Sequence, residues 1–160
     1  MNFTSNNDII SKTGYVWDEL FMFHYTGTAS EDFWTEPTNL EHWENAEGKR
    51  RIHTLLFASG LGDKLTRIPA IDATIDELLM FHKPAYLEQL QQWSKQSIGL
   101  WSAGEGAPYS PGAFQVALRA CGGVIEACRA VIRKEIRNAY ALVRPPGKYN
   151  IGVICIDDDV

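Results

Sequence analysis

The stretch Tyr140-Ala-Leu-Val-Arg-Pro-Pro-Gly-Lys-Tyr149 decides the fold of this chain. Its first four residues form a short apolar run of strand-forming type. Pro145 and Pro146 then fix two backbone φ angles and remove two N–H donors, so no regular strand or helix continues through them. Gly147 permits a tight turn or a close approach to another group. Because open α/β sheets bind ligands at the carboxyl ends of strands, the stretch predicts a buried strand that ends at a candidate site.

A long amphipathic segment leads into this strand. Ser110 and Pro111 predict its start, with serine as the N-cap and proline in the first turn. Apolar residues then recur at the 3.6-residue helical period and predict one buried face, made of Phe114, Ala117, Leu118, Cys121, Val124, Ile125, Cys128, Val131 and Ile132. Gly122 and Gly123 lie in the middle, at a cost of roughly 1 kcal/mol each relative to alanine. They predict close approach to another backbone, most simply a sheet.

Capping signals predict three further helices upstream. They run from Asn45 to about Ser59, from Thr74 to near His82, and from Pro84 onward with Tyr86, Leu90 and Trp93 along one side. Residues 14–17 predict a first strand, and residues 151–156 predict a strand after the proline turn. The order of strand, helices, long helix, strand, turn and strand favours an α/β fold with a mainly parallel sheet.

Composition narrows the class of protein. The chain has 160 residues, 45% hydrophobic and 22% charged, which suits one globular domain. We expect a flexible N-terminus at 1–12, a domain at 13–156 and an acidic tail at 157–160. The net charge of −5 argues against nucleic acid as a partner, and no apolar run reaches membrane-spanning length. Three cysteines without a Cys-x-x-Cys pair predict reduced thiols in a cytoplasmic protein.

The sequence Arg144-Pro-Pro-Gly147 resembles the signature of zinc-dependent deacetylases, which include histone deacetylases, acetylpolyamine amidohydrolases and bacterial histone-deacetylase-like amidohydrolases. Five blocks resemble this family in the family's order, at residues 13–19, 41–53, 73–86, 103–114 and 138–147. The resemblance implies a partial three-layer arginase/deacetylase-like α/β fold, with a small, mainly parallel sheet and flanking helices.

The resemblance also implies what the site lacks. In the family two adjacent histidines follow the glycine and transfer protons, whereas this chain has Lys148 and Tyr149. The family's zinc ligands, two aspartates and a histidine, and its transition-state tyrosine lie further downstream. Lysine is normally protonated at pH 7, with a pKa of about 10.4, so it cannot replace a neutral imidazole. We therefore predict a truncated, catalytically inactive relative that holds no zinc itself.

Other candidate site residues have simpler interpretations. The four histidines, at positions 24, 42, 53 and 82, show no metal-ligand spacing and predict structural roles. Glu105 predicts a surface carboxylate in a loop, and Asp157–Asp159 predict a solvated end.

Two alternatives to an inactive relative stay open. One is a protein-interaction or assembly module that uses the N-terminal half of the fold, and the other is an amidohydrolase completed by another chain. We expect only two or three strands. Exposed strand edges and apolar faces then predict self-association, or a protein partner that covers the exposed sheet and helix surface.

Overall fold

The computed structural model describes residues 12–27, 44–97, 101–102, 108–145 and 153–154. Within these ranges the helices are α1 (Ala46–Ala58), α2 (Ile75–Leu79), α3 (Pro84–Ser94) and α4 (Ala113–Ile132). The strands are β1 (Thr13–Val16), β2 (Thr66–Ile68), β3 (Trp101–Ser102), β4 (Pro108–Tyr109), β5 (Asn138–Ala141) and β6 (Val153–Ile154). Short 3-10 turns cover Glu19–Phe23 and Gly62–Lys64. Most of the predicted termini, 1–12 and 157–160, lies outside the described residues.

The main sheet is small and mainly parallel, as predicted. Its strand order is β2-β1-β5-β6. Val16 of β1 pairs in parallel with Ile68 on one side and Ala141 on the other. The last strand, β6, is antiparallel to β5. The first strand along the chain is therefore the centre of the sheet, and its two neighbours are supplied by much later segments.

The expectation of two or three strands was too low. The described residues hold four strands in the main sheet, and β3 and β4 form a separate antiparallel pair. β2 is only three residues long and includes Arg67, so it gives no alternating pattern in the sequence. The strand predicted at 140–143 begins two residues earlier, at Asn138, because that residue pairs with Thr13 in the register of β5 with β1.

The predicted helix α4 exists, but its buried face differs from the prediction. The buried side consists of small residues, namely Ala113, Val116, Ala120, Gly122, Gly123, Ala127 and Ala130. The larger apolar residues flank this stripe, and Ile132 is 74% exposed. Small side chains let the helix axis come close to the sheet. The alanine and glycine stripe therefore faces the sheet, and the larger residues lie beside it.

The two central glycines of α4 do mark a close approach. An added Cβ at Gly122 would meet the carbonyl oxygen of Ile71 and lie 2.5 Å from the nitrogen of Ala73. The nearest backbone to Gly122 is thus the connection after β2, rather than the sheet that was predicted. Gly123 does face the sheet, since its added Cβ would lie 2.8 Å from Cγ1 of Val16.

The start of α4 was also predicted wrongly. Its N-cap is Gly112, with φ of 77°, and the helix begins at Ala113. Ser110 is buried, and its Oγ instead accepts a hydrogen bond from the backbone N–H of Tyr25 at 3.3 Å. The capping oxygen comes from α3, because Oγ of Ser94 accepts from the N–H of Phe114 at 3.1 Å. A residue distant in sequence therefore supplies the cap, which no local motif reveals.

Local signals predicted the other helix starts correctly. Asn45 caps α1 by accepting from the N–H of Gly48, and Thr74 forms the predicted capping box with Glu77. In α3 the buried residues are Leu87 and Leu90, so of the side predicted from Tyr86, Leu90 and Trp93 the middle residue is buried, whereas Tyr86 is 38% exposed. None of these described helices combines the length and apolar character needed to cross a membrane.

Candidate functional site

The predicted turn follows directly from the centre of the sheet. After β5, the N–H of Leu142 donates to the carbonyl oxygen of Val16 at 3.1 Å, which keeps the chain beside β1. Arg144 follows two residues later and is completely buried. Its peptide bond to Pro145 is cis. The proline turn therefore leaves the carboxyl end of a central strand pair, where the sequence placed it.

Arg144 is held by a buried ion pair with Glu44. Its Nε lies 3.0 and 3.2 Å from the two carboxylate oxygens, and its Nη2 lies 2.9 Å from Oε2. Its Nη1 donates to the carbonyl oxygen of Phe21 at 3.2 Å. Glu44 is itself only 4% exposed. A buried charge must be paired and hydrogen-bonded to be stable. The guanidinium of Arg144 meets this condition, because it is paired with Glu44 and all three of its nitrogens donate hydrogen bonds.

Glu44 is fixed from several directions. Its backbone carbonyl accepts a hydrogen bond from Oγ1 of Thr26 at 2.8 Å, and Lys49 Nζ lies 3.7 Å from its Oε1. It also stands directly before Asn45, the N-cap of α1. Glu44 therefore joins three distant parts of the chain, namely the segment after β1, the start of α1 and the end of β5.

This arrangement holds Arg144, the residue that precedes the proline pair, by contacts within the protein. Each guanidinium nitrogen of Arg144 already donates inside the protein, and the side chain has no solvent exposure. The other predicted site residues, Pro146, Gly147, Lys148 and Tyr149, lie outside the described residues. So do Glu105, His42 and Asp157–Asp159. The structure therefore places Arg144 and Glu44 together at the base of the predicted site. The positions that correspond to the family's histidine pair, Lys148 and Tyr149, are not tested by it.

Zinc, which the family resemblance implies, does not fit the described residues. In the ranges that the structure describes, no three His, Cys, Asp or Glu side chains are grouped so that they could hold a metal ion. The buried Glu44 carboxylate is occupied by Arg144.

A second cluster of polar and aromatic side chains lies where α1 meets the sheet. Oη of Tyr15 is 2.8 Å from Nδ1 of His53, and the His53 ring stacks on Trp17 with centroids 4.3 Å apart. Burial raises the pKa of Tyr15 to about 12, against the opposing effect of the Arg67 guanidinium. Burial and then Arg67 lower the pKa of His53. These contacts are consistent with the structural role predicted for His53.

Sequence reasoning did not find the partners of these residues. Glu44 lies in one of the blocks that resemble the family, but the ion pair joins positions that are 100 residues apart. Tyr15 and His53 are separated by 38 residues. In both cases the pairing depends on how the sheet is assembled, which local spacing does not encode.

Comparison with known proteins then identifies the family. A family model described as the histone deacetylase domain matches residues 42–148, from just before Glu44 to just beyond the proline turn. The chain belongs to the histone deacetylase family. The histone deacetylase-like amidohydrolase of Pseudomonas aeruginosa is 36% identical over 143 residues, and histone deacetylase HDA1 of Saccharomyces cerevisiae is 29% identical over 154 residues. The family resemblance seen in the sequence is confirmed.

A solved structure supports the fold of this family member. The crystal structure of the HDA15 HD domain superposes with a TM-score of 0.72 at 23% identity, which supports the partial arginase/deacetylase-like α/β fold. The alignment covers 86% of this chain but 36% of that domain. The chain likewise spans 37% of the Pseudomonas amidohydrolase and 21% of yeast HDA1.

Proposed function

We propose that residues 13–156 form the N-terminal part of a deacetylase-type domain whose proton-transfer position is silent, so that this chain does not hydrolyse acetyl-amides. One observation carries the proposal. Lys148 and Tyr149 directly follow Arg144-Pro-Pro-Gly147, where the family resemblance implies two histidines. The match to the family model ends at residue 148.

The chemistry of the two replacements supports this proposal. Amide hydrolysis by a zinc-dependent enzyme needs a base that accepts the proton of the attacking water near neutral pH. Lysine is protonated at that pH and tyrosine is a neutral phenol, since their ordinary pKa values are about 10.4 and 10. The Glu44–Arg144 pair would still hold the turn in place. We infer a domain that keeps the Glu44–Arg144 ion pair beneath the site and lacks a residue able to accept the proton of the attacking water.

A direct assay tests the proposal. The 160-residue chain is incubated with zinc and with acetyl-lysine peptide or acetylpolyamine, and the Pseudomonas amidohydrolase serves as the active control. We expect no turnover and no zinc retained after gel filtration. Turnover with stoichiometric zinc would overturn the proposal.

A second assay isolates the Lys148-Tyr149 replacement. The same two residues are introduced in place of the histidine pair of an active family member, in a protein that keeps its own metal ligands. We expect loss of turnover with zinc still bound. Retained turnover would show that this pair can support the reaction.

An assembly role is the second candidate function, favoured by exposed apolar side chains. Met80 and Phe81 are adjacent and each 87% exposed, and Leu55 is 67% exposed. Such surface in a small domain favours self-association or a protein partner. We expect sedimentation velocity at micromolar concentrations to show association, and the double variant Met80→Ser/Phe81→Ser to weaken it. A monodisperse wild-type monomer would count against self-association.

Completion by another chain is the remaining alternative. If another chain supplies the zinc ligands in trans, this chain should form a complex with a longer deacetylase relative in a pull-down. The absence of a complex at micromolar concentrations would argue against it. We also propose a cytoplasmic location and no nucleic-acid partner, which the free thiols of Cys121 and Cys128 and the net charge of −5 support.

A further inference from the structure

Helix α1 packs on the sheet through a few partly buried side chains, which include Leu56 and His53. The helix has no fully buried side chain, although it carries several apolar ones. His53 bonds to Tyr15 of β1 at 2.8 Å and stacks on Trp17 with an interplanar angle of 12°. Phe57, one turn later, packs against the same ring with centroids 4.9 Å apart. The His53 ring therefore makes the polar part of the contact between α1 and the sheet, and that part depends on its protonation.

The hydrogen bond between Tyr15 and His53 fits neutral imidazole. Tyr15 is 1% exposed, so its hydroxyl proton needs an acceptor inside the protein. Nδ1 of His53 accepts that proton when the ring carries its own proton on Nε2. A second ring proton would turn Nδ1 into a donor, so Oη of Tyr15 would have to accept instead and its own proton would lose this acceptor.

The charged and titratable groups around His53 come from three elements. β1 presents the Tyr15 hydroxyl, β2 presents the Arg67 guanidinium, and the turn after β1 presents the Glu19 carboxylate. Nη2 of Arg67 lies 3.4 Å from the carbonyl oxygen of Trp17, close to the stacked rings. Glu19 is shared with Arg50 of α1, whose Nη1 is 3.6 Å from its Oε2. The carboxylate that would compensate a charge on His53 is thus already engaged.

We propose that His53 is a protonation-sensitive latch, which holds α1 on the sheet when neutral and releases it when protonated. Release would reach the proline turn, because Glu44 stands two residues before the first residue of α1 and carries the ion pair with Arg144. The latch would therefore couple acidification to loosening of the turn. This coupling is independent of whether the chain has any catalytic activity.

The sign of the effect follows from the lowered pKa of His53 in the folded protein, caused first by burial and then by Arg67. A group of this kind contributes its stabilisation fully above its unfolded pKa, about 6.5. The contribution is lost as the pH falls through the folded pKa. We therefore expect α1 to be docked at pH 7.5 and released in mild acid.

An NMR titration of the labelled 160-residue protein from pH 8 to pH 5 tests the latch. We expect the ring signal of His53, the backbone amides of α1 and the Nε–H signal of Arg144 to shift with one midpoint below 6.5, and the α1 amides to lose exchange protection. Amides of β1 and β5 should keep their signals through that midpoint. Unchanged α1 amides, or loss of the whole sheet at the same midpoint, would overturn the proposal.

Two variants sharpen the test. In His53→Asn the carboxamide can accept from Tyr15 and does not titrate, so the joint shift of α1 and Arg144 should disappear. In the control His82→Asn, a histidine that contacts Phe81 and Tyr86 away from α1 is removed, and the joint shift should persist. Persistence of the shift in His53→Asn would refute the latch. If His53→Asn does not fold, the wild-type titration alone decides.

Discussion

Gly122 is the position where we expect an added methyl group to destabilise the fold most. In the substitution Gly122→Ala, the new Cβ would collide with the carbonyl oxygen of Ile71 and lie 2.5 Å from the nitrogen of Ala73 and 2.8 Å from the carbonyl carbon of Asp72. All three are backbone atoms, so no side-chain rotation relieves the contact. The helix or the 71–73 connection must move.

The magnitude follows from three opposing terms. Alanine gains about 1 kcal/mol over glycine in a helix interior. Overpacking a well-filled interior costs roughly 1–3 kcal/mol, and the rigid backbone neighbours favour the upper end. Movement of the connection also strains the hydrogen bond from the N–H of Ala73 to the carbonyl of Leu118, 2.9 Å long and worth about 1 kcal/mol. We expect a net loss of about 2–3 kcal/mol.

Urea unfolding followed by circular dichroism measures this loss, with Gly48→Ala as the matched control. Gly48 lies in α1, and an added Cβ there meets nothing within 4 Å. We expect this control to be neutral or to gain up to about 1 kcal/mol. If Gly122→Ala were as stable as the control variant, the close approach of α4 to the connection would be wrong.

Three further substitutions test the other contacts. Glu44→Gln leaves the buried guanidinium of Arg144 without a counter-charge and should cost roughly 3–5 kcal/mol in urea unfolding, part of which the added change Arg144→Met should restore; an unaltered midpoint in Glu44→Gln would contradict the ion pair. Thr74→Ala should cost about 1 kcal/mol at pH 7. Hydrogen bonds from Thr74 lower the pKa of Glu77, so the wild-type advantage should be full above the ordinary pKa of that carboxyl and fade as pH falls through its lowered value; a thermal-melt difference that is constant from pH 7 to pH 3 would disprove this. Ser94→Ala removes the oxygen that caps α4 and should cost about 1 kcal/mol, which equal thermal midpoints for variant and wild type would contradict.

The sequence predicted those parts of the fold that depend on neighbouring residues. Asn45 and the Thr74–Glu77 pair cap helices within one turn, and both were correct. The start of α4 was missed because Ser94, from another helix, supplies its cap. Its buried face was missed because the space beside the sheet admits only small residues, a property of the packed structure and not of the helical period.

For the candidate site, the sequence located the turn but not its support. The proline pair marks a break after β5 by its backbone chemistry alone. That Arg144 is buried, and that Glu44 neutralises it, depends on three segments that meet only in the folded chain. A charged residue such as Arg144 at the end of an apolar strand could have indicated a buried ion pair. The neighbouring sequence does not show which residue is its partner.

The central position of β1 has a consequence for how the chain is made. This strand is synthesised before either of its sheet neighbours, and one of them, β5, begins only at Asn138. At about 5–20 residues per second, translation of the intervening chain takes roughly 6–25 s. During that interval a hydrophobic strand has an open edge, which favours pairing with other nascent chains. Chaperones that cover β1 until synthesis reaches β5 should therefore limit the misassembly of this protein.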